Sequence, residues 1–144
     1  MDEAERVRLA EAFLQEAVFR SRAAQAAGTF LAQTGADVAR QCGLGLEAAV
    51  VLDLSPRGRE LFAALWPDAN PDVERVHALL REWIGRQDAL DRERNHYLKA
   101  FRQKHGFDRN AYTLEQRAEF EGGLERVNAA VEAERRDTAK RLLG

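Results

Sequence analysis

The sequence predicts an all-α protein: a helical bundle whose C-terminal half is a long antiparallel helical hairpin, coiled-coil-like in its spacing. Three observations carry this expectation. Apolar residues recur three and four positions apart over most of the chain. Ala, Leu, Glu and Arg dominate its 144 residues, and these are the strong helix formers. Only three prolines, Pro56, Pro67 and Pro71, interrupt the pattern.

The first helix is expected from residue 3 to about residue 33. Its apolar positions are Val7, Ala10, Leu14, Ala17 or Val18, Ala24 and Leu31. Gly28 and Gly35 weaken the run, and Gly43-Leu44-Gly45 ends it. The next stretch, LEAAVVLDL at 46–54, suits a short strand or a buried helix, and its helical surroundings favour helix. In SPRGRELFAALW, Ser55 offers an N-cap and Pro56 takes the first helical position, while Pro67 closes the helix after Trp66.

NPDVERVHALL repeats the start signal. Asn70 can cap, Pro71 sits first, and Asp72 and Glu74 face the positive end of the helix dipole. One helix is expected from there to about His105, with Gly106 past its end, a run of about 50 Å. Its seam reads Val73, Val76, Leu80, Trp83, Gln87, Leu90, Arg94, Tyr97, Phe101, with Gln87 and Arg94 as polar entries that either specify register or form a buried polar pair. Thr113 and Gln116 then make a capping box for the last helix. That helix carries Leu114, Ala118, Phe120 or Glu121, Leu124, Val127, Val131, Glu134, Thr138 and Leu142, a seam that weakens toward the C-terminus. A short connection between two long helices makes them antiparallel neighbours. The whole chain, 1–144, is expected as one helical domain, with a weaker division between residues 1–67 and the hairpin at 68–144.

Composition narrows the function classes. Cys42 is the single cysteine, so neither a disulfide framework nor a thiolate cluster is available. The acidic start Met1-Asp2-Glu3 does not resemble a secretory leader, and no run approaches the roughly 18 apolar residues of a membrane span. A cytoplasmic protein without membrane association is expected. Net charge is −2 with 32% charged residues, which gives no global attraction to nucleic acid.

Charge is segregated along the hairpin instead. Residues 92–110 hold a net +4 and residues 115–134 a net −4. Folding back brings Lys99 and Arg102 toward Glu115 and Glu119, so the arms are expected to neutralise each other. The alternative is a phosphate-binding tip of Arg92, Lys99, Arg102, Lys104 and Arg109 with Tyr112, whose binding would collapse with salt.

Two Glu-x-x-His pairs occur, Glu74/His77 and Glu93/His96, a spacing that serves carboxylate-bridged metal bundles. On one helix they would stand about 28 Å apart, too far to share an ion. No metal or cofactor is therefore expected. HYLKAFRQKHG resembles the active segment of histidine phosphotransfer domains: His96 is followed by Leu98 and Lys99, a small residue at Ala100, and Gly106. The resemblance implies His96 as phosphoacceptor and Lys99 as its support, on a four-helix bundle. Ala100 stands where that family usually has glycine, and the match spans about eleven residues. VVLDLSPRGRELFAALWP is similar to the strand and helix that close the winged-helix domain of MarR-type repressors. The residues before it read as one long helix, leaving SPRGRE as an ordinary helix start.

No phosphate-binding glycine loop or nucleophile elbow is present. Cys42 is expected as a small buried residue. The expectation that results is a non-catalytic protein–protein interaction or assembly module, self-associating as a homodimer. Its candidate anchors are Trp83, Tyr97, Phe101, Phe107 and Tyr112, because aromatics dominate such contacts. The histidine relay and nucleic-acid binding at the tip are the alternatives.

Overall fold

The protein is all-α. The structure, a computed structural model, describes residues 1–26, 52–68 and 71–144. Among these residues the helices are α1 (Glu3–Ala26), α2 (Pro56–Leu65), α3 (Val73–His105) and α4 (Leu114–Leu143), with a 3₁₀ turn at Arg109–Ala111 between the last two. No strand occurs among the described residues, and none of their helices is long and apolar enough to cross a membrane. Expectations on Gly28, Leu31, Gly35, Cys42, Gly43-Leu44-Gly45, residues 46–51 and Asn70 lie outside the described residues.

Local chemistry explains where the helices begin and stop. At α2 the Ser55 hydroxyl accepts from the Gly58 N–H at 3.0 Å, Pro56 occupies the first turn, and Trp66 closes the helix. At α3 the capping side chain is Asp72, whose carboxylate accepts from the Arg75 N–H at 3.2 Å. Gly106 ends α3 in the left-handed region, φ +97°, which glycine adopts without a Cβ penalty. At α4 the capping box forms in both directions: the Gln116 N–H donates to Thr113 Oγ1 at 3.1 Å, and the Thr113 N–H to Gln116 Oε1 at 3.0 Å. Residues 52–54 depart from the helix expected over 46–54: Leu52 and Asp53 form a turn, and Asp53 has φ +53°.

The chain divides into two compact units, one of Met1–Ile84 with Arg135–Gly144 and one of Gly85–Glu134. The division falls within α3 and α4, not at residues 67–71. In the first unit Phe13 of α1 meets Phe62 of α2 and Trp66, the residue that caps it, with ring centroids 6.2 and 6.0 Å away. Val7, Ala10, Leu14 and Val18 line the buried side of α1, and Val76, Leu80 and Trp83 are buried on α3. The C-terminal turns of α4 are buried at Thr138, Ala139 and Leu142. The seam of α4 therefore strengthens toward the C-terminus, opposite to the trend its side-chain sizes suggest. A bidentate ion pair, Arg141 to Glu82 at 2.8 and 3.3 Å, joins α4 to α3 in this unit.

The second unit is an antiparallel pair formed by the end of α3 and the start of α4. Its core is Phe101, Tyr112 and Phe120, with Tyr97, Leu98 and Leu124 packed against it. Phe101 meets Phe120 at 5.0 Å and Tyr112 at 5.5 Å between centroids, both edge-to-face, the favoured aromatic geometry. A second bidentate pair, Arg86 to Glu134 at 2.6 and 2.7 Å, clasps the base of the arms. Gln87 is buried and Arg94 is exposed, so the two polar seam entries are not a buried pair.

Candidate functional site

The five expected partner anchors separate by exposure. Trp83 is 1% exposed in the core of the first unit, and Phe101 and Tyr112 are buried in the second. These three rings are consumed by the protein's own packing and are withdrawn from the anchor set. Tyr97 is half-buried, and its hydroxyl donates to the Glu119 carbonyl at 3.1 Å. Phe107 alone stands free, 75% exposed.

The tip that carries Phe107 is well specified despite its exposure. The Tyr112 hydroxyl donates to the Gly106 carbonyl at 2.5 Å, drawing the two ends of the connection together. Asp108 accepts from the Asn110 N–H at 3.0 Å, an Asx turn that opens the 3₁₀ segment. The Gln116 amide reaches His105 Nδ1 at 3.2 Å, and the Arg109 guanidinium lies 4.9 Å from the Phe120 ring centre. On this ordered frame a second apolar side chain, Leu114, is 84% exposed. Sequence spacing assigned Leu114 and Ala118 to the seam, and both are exposed. They precede Phe120, the first residue of α4 buried in this core.

The basic arm is left unanswered by its neighbour. Among the described residues Arg92, Lys99, Arg102, Lys104 and Arg109 form no ion pair, and Lys99 and Arg102 do not reach Glu115 or Glu119 within 4.0 Å. The expected mutual neutralisation does not form; among the described residues the ion pair of this unit is Arg86 with Glu134, at the base and outside the basic segment. There the hydrogen bonds from Arg86 hold the Glu134 carboxyl below the usual glutamate range, and Glu134 raises Arg86 further. The cause of the mismatch is geometric. Lys99 and Arg92 lie on the side of α3 turned away from α4, because both fall roughly 160–180° round the helix from Phe101.

His96 and Lys99 are both exposed and share one helix face through their three-residue spacing. Glu93 is exposed beside His96, while Glu74 and His77 belong to the first unit. Among the described residues no group of three or more His, Cys, Asp or Glu side chains is placed to hold a metal ion.

The first unit contains a cavity of ≈ 60 Å³ bordered by Phe13, Glu16, Leu52, Ser55 and His77. The Ser55 hydroxyl donates to Glu16 at 2.9 Å, and Arg20 pairs with Asp53 at 3.4 Å beside it. This volume is well below the roughly 300 Å³ of a typical small-molecule site.

Two residues of the second unit escaped sequence reasoning. Gly123 is buried, and a Cβ there would lie 1.9 Å from the Tyr97 hydroxyl and 2.2 Å from its ring carbon Cζ. The Gly122-Gly123 doublet inside a helical pattern was the available signal, since an interior glycine often marks close approach. Leu114 carried no such signal, because its exposure follows from where the packed part of the helix pair ends.

No protein-family model matches this sequence, and no curated protein or solved structure shows significant similarity to it.

Proposed function

We propose that the chain is a non-catalytic interaction module that self-associates through the α3–α4 pair of its second unit. The observation that carries this reading is the tip, where Phe107 and Leu114 are 75% and 84% exposed on a backbone fixed by side-chain hydrogen bonds. Fully burying such a side chain contributes about 1.5–3 kcal/mol, so leaving two of them in water favours a surface that closes on something. An ordered tip loses little conformational entropy on docking, which leaves more of that gain as affinity.

The direct test is light scattering over a concentration series. A mass above the 16.2 kDa of one chain is expected, falling toward it in the double variant Phe107→Ser, Leu114→Ser. A strictly monomeric wild type would overturn the reading.

The unpaired basic arm favours nucleic acid as a second reading. It predicts material absorbing at 260 nm that copurifies and is released by salt, and that is lost in Arg92→Glu, Lys99→Glu. The relay reading predicts label transfer from a phosphorylated receiver that His96→Gln abolishes.

A further inference from the structure

Arg92 and Lys99 go unanswered by α4 because they point away from it, and the edge of α3 they occupy has a chemistry of its own. Phe101 faces Phe120 and marks the inward side of α3. Counting about 100° per residue from that ring, the positions of residues 92–103 that fall within roughly 60° of the opposite, outward direction are Arg92, Asn95, His96, Lys99 and Gln103. All of them are exposed, whereas Leu90 and Phe101 on the inward side are buried.

Each of these side chains ends in nitrogen and can donate a hydrogen bond. None carries a carboxylate and none is an apolar side chain. Among the described residues none forms an ion pair or a side-chain hydrogen bond. The neighbouring acids stand off this edge: Asp91 and Glu93 lie roughly 100° from the outward direction on opposite flanks, and Asp91 accepts from Gln87. Asp88 shares the edge one turn before Arg92 and sets its lower limit. Half-buried Arg102, about 80° round from the edge, adds a third cation on one flank.

These properties select the occupant. A protein partner is held by an apolar centre inside a polar rim, and this edge has no side chain to supply that centre. A single nucleic-acid strand is held by bases stacked on aromatic rings, and the edge carries no phenyl, phenol or indole. A duplex needs neither, because cations meet its phosphates and hydrogen-bonding side chains read its base edges. In the major groove Arg and Lys suit guanine, and Asn and Gln suit adenine. We infer that the outward edge of α3, from Arg92 to Gln103, binds duplex DNA by lying in its major groove. The edge is about 17 Å long on a helix about 10–12 Å across, and the groove, about 12 Å wide, admits such a helix. α4 packs on the opposite side of α3 and stays clear of the groove, while Arg102 stands on the flank where a phosphate strand passes.

This inference rests on the nucleic-acid reading above, and the test separates the two. The probes are a fluorescently labelled DNA duplex of mixed sequence, one of its strands alone, an RNA duplex of the same sequence, and vesicles of phosphatidylserine with phosphatidylcholine. By anisotropy at about 50 mM salt, the DNA duplex is expected to bind about tenfold or more tighter than the single strand or the RNA duplex, whose deep, narrow major groove shuts side chains out. With three cations in reach, log Kd should rise with log salt with a slope of about 3. Arg92→Glu with Lys99→Glu should raise Kd about tenfold or more. Asn95→Ala with Gln103→Ala should raise it about threefold or more without changing the salt slope, since neither side chain is charged. Arg126→Glu, at an exposed position of α4, should leave Kd within about twofold. Unchanged helical circular dichroism verifies the fold of each variant. No binding to any nucleic acid overturns both this inference and the nucleic-acid reading, as does cosedimentation with the vesicles in place of DNA binding. Equal or tighter binding of the single strand or the RNA duplex overturns the groove assignment alone. Undiminished duplex binding in either double variant does the same.

Discussion

Gly123→Ala isolates the closest approach in the second unit. At an exposed helix position this change stabilises by about 1 kcal/mol, since alanine has the higher helix propensity. At position 123 the new Cβ would stand 1.9 Å from the Tyr97 hydroxyl, 2.2 Å from Cζ and 2.8 Å from Cε2. A planar ring cannot bend away from three such overlaps, so Tyr97 must swing out. It then forfeits its hydrogen bond to the Glu119 carbonyl, about 1 kcal/mol, and part of its packing against Phe101, about 1–2 kcal/mol. The balance is a net destabilisation of about 1–2 kcal/mol, which urea unfolding followed by far-UV circular dichroism can resolve. In a Tyr97→Ala background the obstacle is gone, and Gly123→Ala is expected to stabilise by about 1 kcal/mol. The sign should therefore reverse between backgrounds, a coupling of about 2–3 kcal/mol. Equal effects in the two backgrounds, or stabilisation in the wild type, would refute the close-packing argument.

Two further outcomes follow from the same structure. Gln87 is buried and donates to Asp91 at 3.0 Å, but its Oε1 has no hydrogen-bond partner. Gln87→Leu is expected to stabilise by about 1 kcal/mol in the same urea assay, and a loss of stability would show that the amide's bond to Asp91 outweighs its buried oxygen. Glu82 and Glu134 are held below the usual glutamate range, near 4.3, by hydrogen bonds from Arg141 and Arg86. Because the folded value is the lower one, their contribution is present above about pH 4.3 and is lost as pH falls through the folded value. Between pH 5.5 and pH 3 the Glu82→Gln, Glu134→Gln variant should lose less stability than wild type; an equal loss would contradict the assignment.

Helix boundaries were legible in the sequence because the chemistry that sets them is local. Ser55 with Pro56, Thr113 with Gln116, and Gly106 each act within one turn, and each does so in the structure. The burial of Val76, Leu80, Trp83, Leu90 and Phe101 was legible from spacing alone. What spacing cannot report is where the neighbouring helix stops. Leu114 continues the apolar period yet stands exposed, since the packed stretch of α4 begins later, at Phe120. The same limit applied to charge. Opposite net charges on two arms read as pairing, but the rotation of each side chain round its helix turns Arg92 and Lys99 outward. Of the anchor aromatics, composition pointed to the right chemical class but could not separate rings that build the core from Phe107, which does not.

The turn at Gly106 decides a question of topology. Between Val73 and Leu143 the chain is helix except for the eight residues that reverse it. A residue that cannot hold φ +97° favours carrying α3 straight through the connection. The two arms would then part, and each would find its packing partner only in another chain whose arms had parted in the same way. The Tyr112 hydroxyl on the Gly106 carbonyl, together with the Thr113–Gln116 cap, acts against this opening by fixing both sides of the reversal. The connection thereby selects a closed hairpin over a helix-exchanged tangle of long rods, through the backbone conformation of Gly106 and the side chains that hold the reversal on either side of it.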